Sequence, residues 1–300
     1  MARVSRVLLA VVALSTVVAA CADANPGVVA RGEGSPATTT TVAPTTTQAP
    51  ATTTSTTLPP TTTTTLPPTT TTTPAPVAPE PVQELAAPLA APIAPSRPGQ
   101  SGPNVAALQQ RLIDLGFWVD KVDGSYGYVT RQAVMAFQKY WGLPRTQVAD
   151  QRTVDIMNFV TYRAIGLSYQ GDLIEVDKSR QVLFVVRDGK VAWVINVSTG
   201  SEKPYTEESK KEPGELLTGD AVTPVGRYKV NRERPEGWWE GELGKLYRPK
   251  YFRGGIAVHG ASNVPAFPAS HGCVRVSVNA MDFIWEQNLM PMGIKVWVRD

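Results

Sequence analysis

Three hundred residues contain only two histidines, His259 and His271, and two cysteines, Cys21 and Cys273. Tetrahedral zinc demands three or four nitrogen, sulfur or oxygen ligands built around such residues, so no metal centre is predicted. Charge is sparse too, at 18% of residues, and the formal net charge is only +3. With no basic cluster and no recognition motif, nucleic acid is excluded as a partner. Long hydrophobic runs are missing as well. The best one, Val7 to Ala20, is too short to span a bilayer comfortably, which argues against a permanent transmembrane helix. Between Gly34 and Pro79 there is neither a charged nor an aromatic residue, so that stretch cannot build a core.

What is present is concentrated. Both histidines and one cysteine fall in the segment Val258 to Val276. A thiol is a weak nucleophile at neutral pH, and an adjacent imidazole both takes its proton and favours the anion, a task open to His259 or His271. Ser270 and Gly272 flank this position and predict a tight turn, where consecutive backbone N–H groups can converge on a developing oxyanion. A structural reading makes Cys273 a small buried hydrophobe. Against it, the cysteine lies in a chain that reads as exported, where thiols normally pair, and Cys21 has another use.

His259-Gly260 followed by Ser270-His271-Gly272-Cys273-Val274-Arg275 resembles the active-site signature of the YkuD-type L,D-transpeptidases. The resemblance implies Cys273 as nucleophile, His259 as proton donor and acceptor, and the Gly260 carbonyl as the group orienting His259. It further implies an oxyanion hole from the amides of His271, Gly272 and Cys273, with Ser270 and Arg275 close to substrate. The connection from Gly260 to Ser270 is shorter than in many members.

The N-terminus begins Met1-Ala2-Arg3-Val4-Ser5-Arg6, and the following apolar run ends in small residues, so residues 1–21 read as a signal peptide. Val18-Ala19-Ala20-Cys21 resembles a lipoprotein processing site, which gives Cys21 a lipid and the chain a membrane anchor; cleavage after Ala22-Asp23-Ala24 is the alternative. Residues 22–98 read as a disordered Thr/Pro linker, because burial cannot offset the entropy of ordering it. About 75 such residues span roughly 50 Å as a coil and about 230 Å fully extended.

Residues 99–165 recover helical periodicity. Val105, Leu108, Leu112 and Leu115 share a face after Pro103. Ala133, Val134, Phe137 and Trp141 form a second pattern ending at Gly142, and a third begins at Asp150. The Leu, Phe and Trp residues read as core, and Asp123-Gly124 as a turn. Leu108-Gln109-Gln110-Arg111-Leu112, Asp123-Gly124-Ser125-Tyr126-Gly127 and Ala133 to Gln138 are similar to the small three-helix peptidoglycan-binding domain. From residue 171 to 300 the pattern is extended. Val182 to Val186 and Val191 to Ile195 flank Asp188-Gly189, a hairpin signal. Gly226 to Val230, Gly255 to His259 and Ile294 to Val298 are further strands, and Asn279 is the predicted cap of one helix. The stretches Gly200–Thr223 and Arg232–Phe252 read as long loops, the second carrying Trp238 and Trp239 as candidate substrate contacts.

The sequence therefore predicts a multidomain α and β protein: a linker, a three-helix bundle, then a mostly-β domain of the β-sandwich type that the resemblance implies. The implied activity is an exported, cofactor-free L,D-transpeptidase. It would act on peptidoglycan stem peptides and glycan, forming 3-3 cross-links through a cysteine acyl-enzyme and releasing D-alanine. Trimming of stems by an L,D-carboxypeptidase and a non-catalytic wall-binding lipoprotein are the rivals. A sortase also combines His, Cys and Arg, but its arginine is distant from its cysteine, unlike Arg275.

Overall fold

The computed structural model describes residues 83–300. The signal peptide, Cys21 and most of the Thr/Pro tract lie outside the described residues. Three helices come first: α1 (Pro103–Asp114), α2 (Tyr128–Tyr140) and α3 (Gln151–Phe159). Pro103 opens α1, where its missing N–H would be unpaired in any case. Gly116, at φ 91°, lets the chain leave it. Asp150 starts α3 as the spacing predicts, its carboxylate accepting the Thr153 N–H at 2.9 Å. Leu108, Leu112, Leu115, Phe137 and Met157 are buried together. Trp141, expected in that core, is 40% exposed and only leans on Phe137 and Tyr140.

Residues 83–98, assigned to the linker from their prolines, differ from that expectation. Ile93 and Ser96 are buried, Ser96 pairs with Ala149, and the Ile93 N–H donates to Asn158 Oδ1 at 2.9 Å. A segment too proline-dense for helix or sheet can still lie along a preformed surface by isolated hydrogen bonds.

The remainder is sheet. Its strands are β1 (Leu173–Asp177), β2 (Val182–Arg187), β3 (Lys190–Asn196), β4 (Pro204–Glu208), β5 (Leu216–Asp220) and β6 (Gly226–Lys229). Then come β7 (Arg232–Glu233), β8 (Trp238–Gly241), β9 (Gly244–Arg253), β10 (Ile256–Ala261) and β11 (Val274–Ser277), helix α4 (Val278–Glu286), and β12 (Lys295–Arg299). The first sheet has the order β3-β2-β1-β12-β6; the second runs β11-β10-β9-β7, with β8 also on β9. Asp188 and Gly189 both take positive φ, 49° and 76°, as a type I′ hairpin between β2 and β3 requires.

Ile174, Val176, Leu183 and Val185 on one face of the first sheet meet Val258, Val274 and Val276 of the second and Met281 and Ile284 of α4. The opposite face, through Leu173, Phe184, Val186 and Val194, shares its core with Leu112, Phe117 and Phe137. Burial on both faces explains why Val182 to Val186 is an unbroken apolar run. The helices are therefore fused to the sheet. Trp118 N–H donates to the Val194 carbonyl at 3.0 Å and Val194 N–H to Gly116 at 2.8 Å, which extends the β3 edge.

Two expectations are corrected. The stretches read as long loops are largely hairpins, β4–β5 and β8–β9, turned by Pro213-Gly214 and by residues 241–244. Strands β4 and β5 are mostly exposed, so they lack the apolar alternation that marks a strand lying on a core. The cap of α4 is Ser277 and not Asn279: Ser277 Oγ accepts the Ala280 N–H at 3.1 Å.

Candidate active site

Strands β10 and β11 are parallel, with His259 opposite Arg275. Because side chains alternate along a strand, Cys273, two residues before Arg275, comes to the same side as His259. His259 is 4% exposed, and its Nδ1 lies 2.8 Å from the Gly260 carbonyl. A carbonyl only accepts, so Nδ1 carries the hydrogen and Nε2 is left with its lone pair. Gly260 has no room for a side chain: a Cβ there would lie 2.9 Å from Tyr247 Cδ1 and 3.1 Å from Met281 Cβ.

Burial pushes His259 down to about 4, against a weaker raising effect of the Gly260 hydrogen bond and with a further lowering from Arg275. The Cys273 thiol is pushed up by burial, with the Ala257 backbone and Arg275 opposing. Its Sγ lies 3.7 Å from the Gly255 carbonyl. The sequence pattern suggested an imidazole that makes the thiolate in advance. Both shifts favour the uncharged forms, more firmly for the buried His259 than for the half-buried Cys273.

The turn before β11 is fixed from several directions. Ser270 Oγ donates to the Cys273 carbonyl and accepts the Gly272 N–H at 3.0 Å. The Thr223 hydroxyl donates to the Gly272 carbonyl at 2.7 Å and accepts the Gly200 N–H at 2.8 Å. Gly272 sits at φ 128°, and a Cβ there would be 2.8 Å from the Val222 carbonyl oxygen, so only glycine fits. Two expected roles change accordingly. The Gly272 N–H is already engaged and is withdrawn from the oxyanion set; His271 and Cys273 keep unpaired backbone N–H groups among the described contacts. Ser270, 2% exposed, spends its hydroxyl inside the turn and not on a ligand.

The His271 ring points away from this turn. Its Nε2 is 2.9 Å from Glu207 Oε1, and the ring stands edge-on to Tyr205 at 4.9 Å, so it ties the β4–β5 hairpin to the site. Arg275 exchanges both backbone hydrogen bonds with Ser198 and is among the residues lining the cleft. Trp238, 48% exposed, leans on Tyr247 at 5.2 Å. Trp239 lies under Arg234 at 3.5 Å and near Lys211 at 5.4 Å.

All of these open on one cleft of about 1130 Å³, whose lining includes His259, Cys273, Arg275, Trp239, Tyr205 and Arg234. The structure thus gathers His259, His271, Cys273, Arg275, Trp238 and Trp239 at one place. Sequence reasoning missed Tyr205, Glu207 and Arg234, which sit in polar segments without a motif. Among the described residues no three His, Cys, Asp or Glu side chains form a metal-binding group.

Two segments of the chain match known families. The family model of the L,D-transpeptidase catalytic domain, YkuD, matches residues 171–298, and that of a peptidoglycan binding domain matches residues 101–157. The crystal structure of an L,D-transpeptidase from Xylanimonas cellulosilytica is 44% identical, with 69% of this chain and 98% of that one covered and a TM-score of 0.61. This chain belongs to the L,D-transpeptidase family. It is also 38% identical over 65 residues to the N-acetylmuramoyl-L-alanine amidase CwlM of Mycobacterium tuberculosis, covering 22% of this chain and 16% of the amidase. A spore cortex-lytic enzyme of Bacillus cereus is 41% identical over 59 residues, covering 20% of this chain and 23% of that enzyme. The chain therefore spans under a quarter of the length of these two curated relatives.

Proposed function

We propose that this chain is a cysteine-dependent L,D-transpeptidase that joins peptidoglycan stem peptides between their third residues. What supports the reading is that Cys273 and a buried His259 line one cleft, with the His259 Nδ1–H committed to Gly260 and its Nε2 left with a lone pair. Cys273 Sγ bonds to the carbonyl carbon of the third stem residue as its proton passes to His259 Nε2. The N–H groups of His271 and Cys273 receive the oxyanion. The amide to D-alanine then breaks, His259 returns the proton to the departing amine, and a thioester remains. The side-chain amine of a diamino acid on a second stem attacks that thioester, His259 takes its proton, and the thiol is restored. The cleaved amide supplies the free energy for the new one, and no cofactor takes part.

Since burial favours the uncharged forms of both groups, transfer of the thiol proton accompanies attack. Arg275 and Arg234 offer cations to the carboxylates that stem peptides carry, while Asp220 and Glu242 share the same wall. The reading extends to location. A signal peptide cleaved before Cys21, a lipid on Cys21 and the Thr/Pro tether would hold the folded part within the envelope, with the helical segment against glycan. No helix among the described residues is long and apolar enough to cross a membrane.

Incubating the full chain with a disaccharide tetrapeptide tests the chemistry. The expected result is release of alanine and a mass adduct of the tripeptide acyl group on Cys273. Cys273→Ala should abolish both, and His259→Ala should nearly do so, because residues acting as one unit fail together. Full turnover by Cys273→Ala would end the reading.

A further inference from the structure

Lys139 belongs to α2, in the helical segment, yet it is 1% exposed and finds no carboxylate among the described ion pairs. Its Nζ faces three carbonyl oxygens, Val197 at 2.7 Å, Gln181 at 3.3 Å and Pro265 at 3.5 Å, of which the two N–H groups of a neutral amine serve two at a time. Burying an amine without a counter-ion is costly, and burial pushes this one down to about 6. An apolar side chain would fill the space without that cost. What the amine adds is direction, since it reaches the backbone carbonyls of three segments that are also tied to one another, by the Val197 N–H to the Gln181 carbonyl at 3.2 Å and by the Ser198 hydroxyl to the Phe267 carbonyl at 2.8 Å.

Those segments lead to the reacting atoms. Val197 is followed by Ser198, whose backbone is bonded both ways to Arg275, and by Thr199, whose carbonyl accepts the Ala269 and Ser270 N–H groups at 2.9 Å. Gln181 continues the link, its amide bonded to the Thr199 N–H and hydroxyl at 2.9 and 2.7 Å. Pro265 lies in the connection between His259 and Cys273. Two more ties leave the helical segment for the same neighbourhood: the Gln132 side chain accepts from Asn196 Nδ2 at 2.6 Å, and Arg145 Nη1 donates to the Ala266 carbonyl at 2.9 Å.

We propose that Lys139, seconded by Arg145, is a positioning residue of the active site, holding the 197–199 strand exit and the 264–270 wall so that the turn carrying Cys273 keeps its register with His259. The helical segment is then part of the catalytic frame as well as a wall-binding element. The proposal rests on the reading of Cys273 and His259 given above, but its test can be read without turnover. In full-length Lys139→Met, backbone hydrogen exchange at Ser198, Ala269, Ser270 and Arg275 should rise at least tenfold, and the alkylation rate of Cys273 by iodoacetamide should change at least threefold. Thermal stability should be little altered, since the substitution also removes a buried amine. With tetrapeptide, kcat should fall roughly tenfold at unchanged KM, because small misplacements of reacting groups cost rate and not affinity. Arg145→Gln, on an exposed side chain, should give a smaller change in the same sense. It decides the matter should Lys139→Met not fold. Wild-type exchange, alkylation and kcat in the folded variants would overturn the proposal. An inactive wild-type chain in which those exchange and alkylation changes still appear would overturn the functional reading alone.

Discussion

At the scale of single residues the decisive feature is that His259 is kept uncharged. Its value of about 4 in the fold stands against an ordinary 6.5 in the unfolded chain. Between those limits the unfolded state binds a proton that the folded state refuses, so stability rises with pH across the window. The contribution is fully present above 6.5 and is lost as the pH falls through about 4. Melting temperature should therefore drop as the pH is lowered through this range, and the drop should be shallower in His259→Gln, as thermal scans at several pH values would show. The same shift keeps the base competent in mild acid. The acid limb of kcat/KM should lie near 4, and a limb near 6.5 would mean that the ring is solvated in the working enzyme.

At the scale of elements, α4 offers a sharp comparison, because two residues suited to capping stand two positions apart. Ser277 makes the bond to the Ala280 N–H, so Ser277→Ala should cost about 1 kcal/mol in denaturant melts while Asn279→Ala costs close to nothing. The same example shows where the sequence stops being legible. The helix itself was visible from Met281, Ile284 and Trp285, but its start was not, since β11 runs directly into it and no turn residue separates them. Runs buried on both faces, such as Val182 to Val186, and the Asp188-Gly189 turn announced their strands plainly. Strands β4 and β5 carried no such signal because they stand away from the core. The candidate site was legible for a local reason: the proposed nucleophile, base and turn lie in one segment, between His259 and Cys273. Thr223, Glu207 and Lys139 reach that segment from far along the chain, and only the fold brings them there. The commitment of the Gly272 N–H to Ser270 likewise depends on a turn geometry that residue types alone do not specify.

At the scale of the whole molecule the question is what would resolve the proposed thioester. Water and a stem amine compete for the same carbonyl carbon, and water is far more concentrated, so transfer dominates only where the site aligns the amine and sheds solvent. Two hairpins stand over the cleft. Strands β4 and β5 reach the site through Tyr205 and the Glu207–His271 contact, and β8 and β9 bring Trp238 and Trp239, the latter stacked beneath Arg234. Strands β4 and β5 contribute nothing to the shared core of the two sheets, and the β8–β9 turn lies at the end of β9 opposite Phe252, which does, so both tips present their side chains to the cleft. With tetrapeptide alone, the full chain should yield dimers joined between two third residues. Replacing the tip between Trp238 and Lys245 by a short Gly-Ser turn should leave acylation of Cys273 measurable by mass while shifting product from dimer to free tripeptide several-fold. Tripeptide as the sole product of the intact chain, at high acceptor concentration and with Cys273 acylated, would mean that the cleft admits water freely and that this protein trims stems instead of joining them.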